Sequence, residues 1–250
     1  MKNLYKSLAT QSRWLCAIAL VAVIGFSFAA CDNGSGGGDG GGDDGDDPSA
    51  YLGEKIEISG EQVYTVAEDG YTISKYDGNL SITDTGGGKG TIANGKLTFT
   101  IGIPDDLEIM EGFFPSEGDK GADTWWKDIK YEPSDAQYFD IYGLHITGSK
   151  HDIDYNLLVK GNVSGTDNNG WWEEVSYVYV DRDVTITGKG ATGDNHDGDT
   201  WKTEDFKLSF KKGWNAMCWK DSWKGDTETE SFSLRNPKNA KWMLVRDYDD

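Results

Sequence analysis

Cysteine, histidine and basic residues are all scarce in this chain, and each scarcity removes a class of chemistry. The 250 residues hold three cysteines. Cys16 and Cys31 fall near the N-terminus, so Cys218 stands alone in the remainder and no intramolecular disulfide can brace it. A segment of that length can be held by an apolar core instead. The three histidines, His145, His151 and His196, offer little to a triad hydrolase or a zinc enzyme. The motifs Gly-x-Ser-x-Gly, His-Glu-x-x-His, Cys-x-x-Cys and the phosphate-binding loop are absent as well. The sequence therefore assigns no catalytic residue and no cofactor. Lys and Arg number 24 against 43 Asp and Glu, a net charge of -19. Such a chain is repelled by nucleic acid, which is excluded as a partner. Helical patterning is missing too, since no segment keeps a 3.6-residue apolar period for three turns.

What is present begins with a targeting signal. Lys2, Lys6 and Arg13 precede an apolar run from Trp14 to Ala30 that ends in Phe28-Ala29-Ala30-Cys31. A basic start, an apolar stretch and small residues before a cut form a signal peptide, here residues 1–30. The last four residues resemble the lipobox of bacterial lipoproteins, with Phe28 where Leu, Val or Ile is common. The resemblance implies that Cys31 is acylated and becomes the first residue of the mature chain. Residues 31–50 then read as a tether. From Asp32 to Pro48 the sequence is DNGSGGGDGGGDDGDDP, with no apolar side chain before the proline to offset the entropy of ordering. Flexible-chain statistics give it a reach of about 20 to 25 Å. Glycine-aspartate runs also resemble calcium-binding nonapeptide repeats, but the fixed apolar position those repeats need is lacking.

Residues 51–250 read as an all-β domain, an antiparallel sandwich or barrel of roughly ten or more strands. Leu97-Thr98-Phe99-Thr100-Ile101 and Phe206-Lys207-Leu208-Ser209-Phe210-Lys211 alternate apolar and polar residues, as half-buried strands do. Ile153-Asp154-Tyr155-Asn156-Leu157 repeats the pattern. Asp69-Gly70, Asp77-Gly78 and Asn94-Gly95 are dipeptides suited to tight hairpins. Asp181-Arg182-Asp183 is expected to join Val175–Val180 to Val184–Ile186 as a further hairpin. Lys211-Lys212-Gly213 is expected to turn Phe206–Phe210 back into Trp214–Lys220. A last strand runs from Lys241 to Arg246, and the irregular stretch from Pro104 to Pro133 reads as an insertion in a single domain.

Tryptophan is the compositional outlier, with ten in the chain and nine after residue 30. Trp125-Trp126 and Trp171-Trp172 are adjacent pairs, and in a strand one member of each pair must face away from the other. An exposed indole offers a flat apolar face to the C–H side of a sugar ring. Asp167, Asn168, Asn169 and Glu173 stand close by to take hydroxyls. The plainer reading makes these indoles inter-sheet filler. Asp194, Asp197 and Asp199 crowd a glycine-containing loop that favours hard cations in principle. Their spacing departs from the EF-hand, and a polar turn is the preferred account of them, so no metal site is assigned.

The relaxed lipobox, the glycine-aspartate tether and the segments GTIANGKLTFTIGIP, VSYVYVDRDVTITGKG and FKLSFKKGWNAM together resemble lipoproteins that occur as families of related copies in treponemes and other spirochaetes. The resemblance implies an envelope location and a β-rich fold, and it carries no site residue with it. The expectation is a non-catalytic protein attached to a membrane by its acyl anchor. The outer membrane or cell surface is favoured, with the periplasmic face as the alternative. Glycans lead as ligand class, ahead of a structural or host-interaction role and a lipocalin-like carrier of a small ligand.

Overall fold

The computed structural model describes residues 47–67, 70–114, 126–147, 157–166, 168–194 and 200–245. Residues 1–46, with the signal segment, Cys31 and most of the expected tether, lie outside them. The described chain is all β. In order, the strands are β1 (Tyr51–Gly53), β2 (Ile56–Val66), β3 (Ile73–Lys75), β4 (Leu80–Thr85), β5 (Gly88–Ala93), β6 (Lys96–Ile101) and β7 (Glu108–Ile109). They continue as β8 (Trp126–Glu132), β9 (Gln137–Ile141), β10 (Leu144–Thr147), β11 (Leu157–Thr166), β12 (Asn169–Val180) and β13 (Val184–Gly190). The last six are β14 (Thr192–Asp194), β15 (Thr200–Thr203), β16 (Phe206–Phe210), β17 (Gly213–Lys224), β18 (Thr227–Leu234) and β19 (Lys241–Val245).

Barrel and sandwich are both present, built on one continuous sheet. Strands β10, β4, β5, β6, β2, β19 and β11 pair in that order, and β11 pairs back to β10 through Leu144 opposite Leu158, so the seven close into a ring. β6 alternates buried and exposed residues along its whole length, with Leu97, Phe99 and Ile101 buried. The turn into it is the hairpin expected at Asn94-Gly95, whose φ angles of 50° and 72° are those that favour these two residues. Ile56, Ile58, Leu80, Ile82 and Ile92 join these three in a single apolar cluster.

From β11 the sheet runs on through β12, β17, β18, β15 and β14. One part of this extension is covered by a second sheet, β16-β13-β8, and the two enclose a second core. Val178, Val180, Met217 and Leu234 come from the large sheet, and Val184, Ile186, Leu208 and Phe210 from the small one. Phe113 packs edge-on against Phe114, Tyr138 and Phe210 at centroid distances of 5.0, 5.1 and 6.1 Å. Ala50, expected in the tether, is buried in this core after a short 3-10 turn at Pro48–Ala50, so the folded chain begins slightly before residue 51.

Two expected hairpins are corners. β12 and β13 do not pair, because β12 lies in the large sheet and β13 in the small one, and the same division separates β16 from β17. The alternating pattern marks each strand but not which sheet it joins. Asn215 and Asp183 fasten the two corners together. Buried Asn215 accepts from the Lys211 amide at 2.9 Å and donates to the Lys211 and Gly213 carbonyls at 2.7 and 2.9 Å. Asp183 accepts from the Lys212 amide at 2.9 Å. Asp77-Gly78 is likewise a crossing, since β3 pairs with β2 and β4 with β5 and β10.

Candidate functional site

β12 is the strand that positions the paired tryptophans. Over its first half it pairs with β11 on one side and with β17 on the other. Strand alternation therefore sends Trp171 and Trp172 to opposite faces of the sheet.

On the first face, Trp171 stands opposite Ser164 of β11 and Ser222 of β17, and Ser222 in turn stands opposite Thr229 of β18. Asn169 and Lys224 pair at the end of the same face. The indole is half-buried, and the Lys220 ammonium lies 5.4 Å from its ring centroid, a cation-π contact. The outcome is one indole set among hydroxyl, amide and ammonium groups. Glu173, on this face one step further in, is buried and engaged. It forms an ion pair with Arg235 and accepts from Asn162 Nδ2 at 3.3 Å. Its carboxylate is thereby committed to the protein, and Asn169 and Ser222 are the polar groups nearest the rim.

On the second face, aromatic and acidic side chains are interspersed across three strands. Trp172 stands opposite Asp221, and Glu174 opposite Trp219. Asp221 stands opposite Glu230, and Trp223 opposite Glu228. Trp201 of β15 lies beside Glu228 in the parallel pairing. Trp172, Trp201, Glu174, Asp221 and Glu230 are all buried. Trp172 Nε1 donates to Glu174 Oε2 at 3.0 Å, while Glu174 Oε1 has no hydrogen-bond partner.

Burial sets the ionisation of these acids. It pushes Glu174 up to about 7 against the opposing pull of the Trp172 hydrogen bond. Burial, with the charges of Glu228 and Glu230, lifts Asp221 to about 9, and Asp221 shares a hydrogen bond with Glu228. Glu230 rises to about 8, from burial first and Glu228 second. Near neutral pH, Asp221 and Glu230 are therefore mainly protonated acids, and Asp221 can donate to Glu228.

Trp223 closes the rim. Its indole rests on Gly170, where an added Cβ would meet Cζ2 at 2.5 Å. Its Nε1 donates to the Thr166 carbonyl at 2.8 Å, and Tyr71 lies against it at 5.9 Å. The β11–β12 and β17–β18 turns meet here through Gly225 N to Asn168 O at 2.8 Å. Thr200 N reaches Asp226 O at 2.7 Å and brings the start of β15 to the same end.

Sequence reasoning placed Trp171 and Trp172 on opposite faces but missed the acidic lattice. Its members come from three strands, and only register brings them together. Trp126 lies on β8 of the small sheet and not in the sheet of β12, while its side chain and all of Trp125 lie outside the described residues. Asp194 ends β14, and its side chain, with Asp197 and Asp199, also lies outside them. Among the described residues no group of three His, Cys, Asp or Glu side chains is placed to hold a metal ion. No protein-family model, curated protein or solved structure matches the chain.

Proposed function

We propose that this protein is a lipid-anchored component of the cell envelope and a non-catalytic binding module that takes glycans at the Trp171 face. The observation that carries the reading is the setting of Trp171. A half-buried indole stands between Ser164 and Ser222, near Asn169, with Lys220 over its ring. A pyranose stacked on the open part of that ring would find hydroxyl, amide and ammonium partners at its edge.

Location supports the same reading. Trp171 is near the end of the sheet where β12 begins, and the chain enters the fold beside the end where β12 finishes. Twelve residues of strand separate these ends, about 35 Å at the usual rise. A module held through residues 31–46 would thus carry its indole on the side away from the attachment. The outer membrane or cell surface is the compartment proposed.

A glycan array probed with the mature chain in detergent micelles tests the proposal. Binding to a defined set of glycans is expected, and Trp171→Ala should weaken it by roughly tenfold or more, as loss of a central aromatic contact does. No glycan bound, or binding unchanged in the variant, would overturn it.

A further inference from the structure

Tyr51, Ile103 and Ile109 are the large apolar side chains that stand exposed among the described residues, at 47%, 58% and 59%. They come from three separate segments, yet strand pairing and one hydrogen bond bring all three toward one end of the large sheet, with Tyr51 on the face of Val178 and Ile109 on the opposite face, that of Phe139. Tyr51 stands opposite Asn215, at the start of β17. Ile103 follows Gly102, whose carbonyl accepts from Trp214 Nε1 at 2.9 Å. Ile109 stands opposite Gln137, whose carbonyl accepts from the Asp181 amide at 3.0 Å just past the end of β12. The sheet order β1-β17-β12-β9-β7 puts four strand spacings, about 19 Å, across the sheet and three residues, about 10 Å, along it between Tyr51 and Ile109.

This is also the end at which the chain enters the fold. Cys31 and Asp47 are sixteen positions apart in sequence, and Asp47 caps the turn that leads directly into Tyr51. We propose that this end is a membrane-docking surface, on which Tyr51, Ile103 and Ile109 enter the interfacial layer of the bilayer to which Cys31 is joined. The inference rests on the anchored reading above. It also fixes an orientation, because docking on this end points the Trp171 rim away from the lipid.

Charge argues for neutral lipid. Arg182 pairs with Asp135 and Asp181 at 3.0 and 2.7 Å, Lys211 with Asp183 at 3.0 Å, and Lys55 with Glu57, while exposed Glu54, Asp105, Asp106 and Glu108 add negative charge beside the three apolar side chains. Attraction to anionic headgroups is therefore not the driving term, and the apolar side chains are. Attachment through a sixteen-residue stretch keeps them at high effective concentration beside the bilayer, so a modest apolar area suffices.

The test attaches the chain independently of cellular acylation. The mature chain beginning at Cys31 is coupled through that thiol to a maleimide lipid in phosphatidylcholine vesicles. Cys218, 1% exposed, stays unreacted. Amide hydrogen exchange is then compared for coupled and uncoupled protein. Residues 102–107 should exchange roughly threefold or more slowly when coupled, with the turn at 168 and 169 unchanged and little effect of added salt. The slowing should vanish in the triple variant Tyr51→Ser, Ile103→Ser, Ile109→Ser, whose changes are all at exposed positions. Equal exchange in the coupled and free protein, or slowing that survives the triple substitution, would overturn the docking surface. Intact mass of chain extracted from cell membranes tests the anchor separately: an unmodified mass ends the anchored reading while the vesicle result still decides the docking.

Discussion

Trp171 and Trp214 differ in what surrounds them, and that difference decides what each can do. Trp214 is fully buried where the ring meets the extended sheet, edge-on to Phe139 and Tyr179 at 6.3 and 5.5 Å, with its N–H satisfied by Gly102. Trp214→Ala removes this packing and leaves the Gly102 carbonyl without its donor. A loss of about 3 to 5 kcal/mol in denaturant unfolding is expected. Trp171→Ala, at a half-buried position, should cost roughly 1 kcal/mol or less. If the two variants lost equal stability, Trp171 would be core, and its use as a ligand platform would have no basis. The sequence distinguishes the two poorly, because Trp214 follows Gly213 in a mixed run while Trp171 sits in a conspicuous pair. Pair geometry, with one indole on each face, was legible from strand alternation alone. Which face was the open one depended on β17 and β11, and nothing near Trp171 in the chain encodes that.

Strands were legible wherever one face is polar, and connections were not. β6 and β16 show the expected alternation, and the Asn94-Gly95 hairpin follows from dipeptide chemistry. β12 is buried from Trp172 to Val180, so it carries no alternation and could be read only as a doubly covered strand. Its continuation into β13 looks like a hairpin because short polar turns make hairpins and corners alike. What makes it a corner is distant in sequence: Asn215 and Asp183 tie the two crossings together. Asn215, 2% exposed, satisfies backbone groups that neither sheet can pair. Asn215→Ala takes this partner from the Lys211 amide and from the Lys211, Gly213 and Val178 carbonyls at once. An expected cost of about 2 to 4 kcal/mol, read from the midpoint of chemical unfolding at unchanged m-value, follows from losing several hydrogen bonds at a dry position. A cost below 1 kcal/mol would mean that the corners hold without it.

Across the whole molecule, the acidic lattice ties stability to pH. Glu174, Asp221 and Glu230 have folded-state values near 7, 9 and 8, and Asp140 is also raised well above its ordinary value, by burial first. In the unfolded chain these groups titrate near 4. Between those limits the folded state holds more protons than the unfolded one, so stability falls as pH rises, by about 1.4 kcal/mol per pH unit for each such proton. Among the described residues, the other groups with shifted values act mainly outside the window from pH 5 to 8. Asp47, Asp181, Asp183 and Asp205 are lowered and act only at more acidic pH. Burial lowers Lys160 to about 8, so it opposes the slope only from about a unit below that value upward. Tm should therefore decline steadily from pH 5 to 8. Self-repulsion in a chain of net charge -19 acts in the same direction, so the slope alone does not identify the lattice. Asp221→Asn does, because it deletes one of 43 acidic residues yet should flatten the curve by one proton's worth and raise Tm relative to the parent at pH 8. A parallel pair of curves would show that Asp221 is ionised in the folded state and that the lattice is held together some other way.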